Sequence, residues 1–407
     1  MIILIDNYKE HKIGNLTVYH SNSLSEELTS MSLALRAGSV NDPEGKYGLA
    51  HFLEHMLFNG TEKYSKDYID NELYQYGINN LNAFTSPDWI AVHGTSLTKY
   101  SDKLFDVLFE LINNPKLSES DIEKERKIII QEYYSSRDDI GGLLIQDFIK
   151  NLFLPNKYKD PAIGYKEDIE SITVDDLRLY HKKFFNPYQQ ILVIRSNLSW
   201  NKLESMLKHY YKPISAQIKQ FIPNQNFTLK GTDVTVSKQG FNQAGLIYAV
   251  PFNSKNSMEA SILSNIYTGG LGSKLMKEVR EKKGLTYSIS SDVELFGNTA
   301  MFLVVTSFSE SSRLQELKNT IREVLYEPIN KEELSRAVHD CKVSIIKSSS
   351  YSVYGYLNTV LYRLQSNTST DFNSDIPKIE NFNIKYLNKF KNNINIHNGN
   401  FYTIIQD

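Results

Sequence analysis

His51-Phe-Leu-Glu-His-Met-Leu-Phe-Asn-Gly-Thr61 is the stretch from which both the fold and the chemistry can be read. Taken back to Tyr47, its apolar residues Leu49, Phe52, Leu53, Met56 and Leu57 recur at three- and four-residue spacing, which on a helix makes one buried face. Asn59-Gly60 closes the segment as a C-cap would, so the spacing predicts a helix over 47–59, about three turns long. His51 and His55 are four apart, hence one turn apart on one face, with Glu54 beside them. Two imidazoles presented this way can reach a single divalent ion. A catalytic zinc takes three protein ligands and keeps a fourth position for water, so one more ligand has to come from elsewhere.

The order His-x-x-Glu-His reverses the common zinc motif His-Glu-x-x-His along the helix and is an inverted zinc-hydrolase signature. From this composition it arises by accident on the order of once in a hundred such chains. The bland alternative is an ion pair on a surface helix. Cys341, the single cysteine, lies in the other half within a helical pattern and is not the third ligand; its solitude also excludes disulfides and cysteine-rich zinc sites. A second helix, starting near Ser120, where Ser120 and Glu123 have capping-box spacing, carries Glu125 and Glu132 seven apart and so nearly on one face. One could bind metal and the other support it. Considered alone, that helix is an ordinary solvated charged face.

Outward from these segments, 407 residues call for at least two domains. Lys and Arg (45) nearly balance Asp and Glu (47), which leaves no electrostatic footprint for nucleic acid or an anionic membrane surface. No apolar run approaches the roughly 18 residues of a membrane helix. The start, Met1-Ile-Ile-Leu-Ile-Asp6, has no basic region and is too short for a signal segment, so it is expected to be an opening strand of a cytoplasmic protein. Strands are expected at 32–37, 89–94, 191–194, 245–250 and 300–307, and further helices at 101–113, 174–184, 257–268, 314–326 and 331–348. The stretch 212–230, with Pro213, Pro223 and several Asn and Gln, has no sustained period. It suggests a first domain over 1–215, a linker over 216–230 and a second domain over 231–407. Residues 33–60 and 246–272 share one pattern of strand, polar turn, helix and glycine. The expected fold is therefore α+β: two similar domains related by internal duplication, each a mostly antiparallel sheet packed with helices.

The run from His51 to Thr61 resembles the active-site helix of the pitrilysin- or insulysin-like zinc metallopeptidases, the inverzincins, especially the half-length branch related to mitochondrial processing peptidase. Glu132 lies 77 residues beyond His55, within the spacing that family uses for a third ligand, and ends the matching segment Glu125-Arg-Lys-Ile-Ile-Ile-Gln-Glu132. The resemblance implies one zinc ion per chain held by His51, His55 and Glu132, with Glu54 as general base and Glu125 holding a ligating imidazole by hydrogen bonding. Asn82-Ala-Phe-Thr85 resembles the family's edge strand, which implies that Asn82, Ala83 and Phe84 contact the peptide substrate. Leu275-Met-Lys-Glu-Val-Arg-Glu-Lys-Lys-Gly-Leu-Thr-Tyr-Ser-Ile289 matches a motif of the second half, in which Arg280 and Tyr287 reach the active site. The implied activity is endoproteolysis of short or unfolded peptides in a chamber of four such domains. This chain supplies two, so a homodimer or a heterodimer with a related chain is implied. The competing reading is a non-catalytic partner subunit; the presence of all the ligands and the base argues against it.

Overall fold

The structure, a computed structural model, describes residues 8–22, 27–137, 140–154, 158–186, 190–211, 228–229, 231–238, 243–296, 298–350, 353–366 and 375–406. The expected opening strand, and the linker apart from Thr228–Leu229, lie outside the described residues.

The chain divides into two compact units: Met1–Asp138 with Asp160–Phe221 and Ser349–Asn358, and Asp139–Lys159 with Ile222–Ser348 and Thr359–Asp407. A single cut at 216–230 does not separate them, because two segments pack with the other half of the chain. In the first unit, β1 (Tyr8–Ile13), β2 (Leu16–Asn22) and β3 (Leu28–Leu35) precede α1 (Leu49–Leu57), β4 (Asn79–Thr85) and β5 (Ile90–Leu97), and then α2 (Ser101–Asn113) and α3 (Glu119–Ser136). The chain next contributes α4 (Ile140–Leu152) and β6 (Phe153–Leu154) to the second unit, where the Leu144 methyl groups lie against Gly245. It returns with α5 (Lys166–Ser171), α6 (Val174–Phe184), β7 (Gln190–Ser196) and α7 (Trp200–Tyr210).

The sheet of this unit runs β1, β2, β7, β3, β5, β4, antiparallel except for the pair β2 and β7. Its strands alternate. On β3, Met31, Leu33 and Leu35 join the core with Leu192 and Ile194 of β7 and Ile90 and Val92 of β5, and the helices cover that face. The residues between them, such as Ser30, Ser32 and His93, point to the opposite face.

The second unit contains β8 (Thr228–Leu229), β9 (Val234–Lys238), β10 (Ala244–Asn253), α8 (Ser257–Thr268), β11 (Ile289–Phe296), β12 (Thr299–Phe308), α9 (Leu314–Tyr326), α10 (Lys331–Ser350), the end of α11 (Val353–Ser366), α12 (Asp375–Glu380), α13 (Ile384–Asn393) and β13 (Asn400–Gln406). Its sheet runs β11, β12, β10, β13, β9, and again only the last pair, β13 and β9, is parallel. This is the order β4, β5, β3, β7, β2 of the first unit, with α8 following β10 as α1 follows β3, and α9 following β12 as α2 follows β5. The duplication read from the strand and helix pattern is thus a duplication of topology.

How α1 begins fixes where its histidines stand. The helix starts at Leu49 rather than at Tyr47 because Gly48 takes φ 97°, a left-handed turn that a side chain would strain. The half-buried Asp42 carboxyl group accepts the backbone N–H groups of Gly48 (2.8 Å) and Ala50 (2.9 Å), donors that the first turn of a helix cannot satisfy internally. Gly164, at φ 83°, presses against the same turn: a Cβ there would sit 2.1 Å from the Tyr47 carbonyl oxygen. Gly164→Ala is therefore expected to destabilise the protein by about 2–3 kcal/mol through backbone strain and this clash. Urea unfolding monitored by circular dichroism checks it, and a wild-type midpoint would mean that the turn yields freely.

Candidate metal centre

Along α1, Phe52, Leu53, Met56 and Leu57 are fully buried, so the other side of the helix presents His51, Glu54 and His55. Helix α3 faces them with one stripe. Ile122, Glu125 and Ile129 are its buried residues, and Glu132 continues the same three- and four-residue spacing into a half-exposed position. The start of α3 differs from the expected capping box. Ser118, with extended backbone, is the N-cap and its hydroxyl hydrogen-bonds Asp121, whereas Ser120 is already helical and Glu123 pairs outward with Arg126 at 3.0 Å. Arg126 also reaches the Ile172 carbonyl at 2.8 Å and stacks over Phe52, fastening α3 beside α1.

Packed this way, the two helices bring together three groups that are distant in sequence. Glu132 Oε1 lies 3.6 Å from His51 Nε2, and Glu132 Oε2 lies 3.3 Å from His55 Nε2. The two imidazoles stand 4.7 Å apart between centroids at 68°. The ligating atoms of the three residues all lie within 4.8 Å of one another, and among the described residues no other group of three His, Cys, Asp or Glu side chains is so arranged. Glu125 is buried, and its Oε2 meets His55 Nδ1 at 3.4 Å, on the side of the ring away from Glu132.

The electrostatics divide the two histidines. Burial and the neighbouring His55 ring push His51 down to about 4, against the pull of Glu132. Burial opposes charge on His55 as well, but Glu125, Glu132 and Glu54 outweigh it and hold this imidazole up to about 9. Its hydrogen bonds in turn lower both Glu125 and Glu132. Glu54 moves the other way: burial raises it, although Thr85 Oγ1 donates to its Oε2 at 2.6 Å. Thr85 ends the run quoted as the edge strand, but its bond to Glu54 is not legible in the sequence, because the contact joins side chains 31 positions apart.

Thr85 ends β4, the outermost strand of its sheet, so the strand bearing Asn82, Ala83 and Phe84 runs up to the Glu54 carboxylate. Beyond its pairing with β5, no other strand among the described residues pairs with β4. Arg280 and Tyr287 belong to the second unit. There the guanidinium of Arg280 stands 5.1 Å from the centre of the Tyr287 ring, which is 82% exposed.

Fold and site together define a duplicated α+β chain whose first copy alone, among the described residues, gathers two imidazoles and a carboxylate around one point. The family model described as Insulinase (Peptidase family M16) matches residues 17–161, and the one described as Peptidase M16 inactive domain matches residues 171–340. The chain belongs to the insulinase family, peptidase family M16. It is 24% identical over 359 residues to an "Uncharacterized zinc protease" of Rickettsia felis, covering 86% of this chain and 85% of that one. Its fold matches the crystal structure of a protease from Helicobacter pylori with a TM-score of 0.86, at 19% identity over 98% of this chain and 100% of that one. A Pseudomonas fluorescens structure titled as a peptidase M16 inactive domain matches at 0.83, with 18% identity over 98% and 97% of the two chains. No helix among the described residues is long and apolar enough to cross a membrane.

Proposed function

We propose that the protein is a zinc-dependent endopeptidase acting on short or unfolded peptides. The observation that carries this reading is the convergence of His51, His55 and Glu132. Zinc bonds of about 2.0–2.1 Å at tetrahedral angles separate neighbouring ligand atoms by about 3.4 Å. The distances of 3.6 and 3.3 Å from Glu132 to the two Nε2 atoms are close to that edge, and two nitrogens with one oxygen are a donor set zinc accepts. When bound, zinc supplies a Lewis acid for the scissile carbonyl and lowers the pKa of a water toward neutrality.

The chain's own groups supply the rest. Glu54 is the general base: Thr85 occupies Oε2, which leaves Oε1 to take a proton from the attacking water and to pass it to the leaving amine. Glu125 holds the His55 ring in orientation through Nδ1, so that Nε2 faces the metal position. A peptide adds to the outer edge of β4 as a further strand, where backbone hydrogen bonds bind it with little regard to sequence. Arg280 and Tyr287 are assigned, through the matching motif, to the substrate backbone and the developing oxyanion. A chamber of four such units requires a second chain, identical or related. The non-catalytic partner reading would leave the triad, Glu54 and Thr85 assembled without a use.

Removal of metal is the direct test. Dialysis against a chelator is expected to abolish cleavage of an unstructured peptide mixture, followed by mass spectrometry, and one equivalent of zinc per chain to restore it. Cleavage that continues in metal-free protein would exclude this reading.

A further inference from the structure

Tyr287 stands in the irregular stretch between the π-helical turn Met276–Lys282 and β11, where no strand or helix ladder fixes the backbone. The stretch is nevertheless tied at both ends. Before the tyrosine, the Leu285 N–H donates to the Val279 carbonyl at 2.8 Å, and Arg313 Nη2 donates to the Lys283 carbonyl at 3.0 Å. After it, Ile289 opens β11 opposite Thr306 of β12.

Thr306 breaks a pattern. On β12, Ala300, Phe302, Val304 and Phe308 alternate into the core of the second unit, and Thr306 takes the place in that row between the last two. It is buried, and a valine would continue the row. What the hydroxyl adds is a hold on the tyrosine segment. Thr306 Oγ1 lies 2.6 Å from the Ser288 carbonyl oxygen and 2.7 Å from Thr286 Oγ1. Thr286 is buried as well, and its Oγ1 lies 2.5 Å from the Ser307 carbonyl oxygen and 2.9 Å from that of Ser288. Two hydroxyl protons are thus shared among two carbonyls and the hydroxyls themselves. The residues immediately before and after Tyr287 are fastened to β12, away from water, where loss of a donor leaves a buried carbonyl unpaired. A polar pair set into an apolar row gives up packing and hydration, so its use lies elsewhere than in the core.

We infer that Thr286 and Thr306 are positioning residues for Tyr287: the hydroxyl pair holds the backbone on both sides of the exposed ring, so that it is presented beside Arg280, 5.1 Å away, in one orientation. The inference rests on the proposed assignment of Tyr287 to the substrate and goes beyond it by naming the groups that hold that tyrosine ready. Neither threonine touches the peptide. A donor fixed in advance needs no rearrangement as charge develops on the scissile oxygen, which is why the hold matters to turnover.

The test uses the full zinc-loaded chain with Thr306→Val, which keeps the shape and removes the hydroxyl. Chymotrypsin reads the hold without any reference to activity. The bond after Tyr287 is expected to resist in the wild type and to be cut about tenfold faster in Thr306→Val, with cleavage elsewhere unchanged, as a loss of about 1.4 kcal/mol of local stability requires. Peptide turnover is expected to fall about tenfold in kcat with little change in KM, and Thr306→Ser to regain both properties. In a Tyr287→Phe background, adding Thr306→Val should lower kcat no further, whereas a general structural defect would subtract in both backgrounds. Thr286→Val, outside the strand, should repeat the pattern. Chymotrypsin rates unchanged in both valine variants, or kcat losses that add to that of Tyr287→Phe, overturn the inference. Tyr287→Phe protein that turns over at the wild-type rate, while the bond after Tyr287 opens in Thr306→Val, would instead sink the assignment of Tyr287 to the substrate and leave the anchoring standing.

Discussion

Glu54→Gln is expected to keep its zinc and to lose peptide cleavage by about 10²–10⁴-fold or more in kcat, the range that a positioned acid–base group contributes. Glu54 is not one of the three converging groups, so metal content should be unchanged. The amide matches the carboxylate in size, and its oxygen can still accept the Thr85 hydroxyl that Oε2 now accepts at 2.6 Å. What it cannot do is take a proton from water. KM should move little if, as proposed, the peptide adds to the β4 edge rather than binding through this side chain. Single-turnover cleavage alongside metal analysis separates the two effects, and full turnover with bound zinc would remove Glu54 from its role.

Glu132→Gln is expected to act one step earlier, by losing the metal. Partners that only orient a ligand are worth about 10–100-fold in metal affinity, and a ligand itself at least the upper end of that range. Glu125→Gln should accordingly fall within that window, while Glu132→Gln exceeds it. The state of His55 adds a dependence on pH. With its imidazole held up to about 9 by the two carboxylates, zinc must displace a proton at neutral pH, so binding releases a proton and weakens as pH falls. Competition with a chromogenic chelator across pH reads both the affinity and the proton count. Retention of zinc by Glu132→Gln at wild-type strength would mean that the three groups converge for another reason.

The two carboxylates of α3 also mark where local reading stops. Spacing places both on nearly one face and does not tell them apart; the resemblance implied Glu132 for the metal and Glu125 for an imidazole, and the packing of α3 against α1 sets Glu132 near the two Nε2 atoms and Glu125 near Nδ1 of His55. The N-cap went to Ser118 rather than Ser120 for a similar reason. Both offer a hydroxyl, and the extended backbone at Ser118 decides which one ends the loop.

What the chain of residues determined by itself is everything set by periodicity over a few turns. The helices expected at 101–113, 174–184, 257–268 and 314–326 are found at Ser101–Asn113, Val174–Phe184, Ser257–Thr268 and Leu314–Tyr326, and the pairing of His51 with His55 on one face follows from their spacing. These depend on burying an apolar stripe, a property that neighbours within a turn or two already encode. The resemblance already implied that β4 is an edge strand; only the tertiary structure decided that its end meets Glu54, that residues 139–159 pack with the second unit, and that Arg195 and Tyr354 line one cavity. Those are meetings of side chains tens to hundreds of positions apart. They are set by strand order and helix packing, which no window of sequence contains.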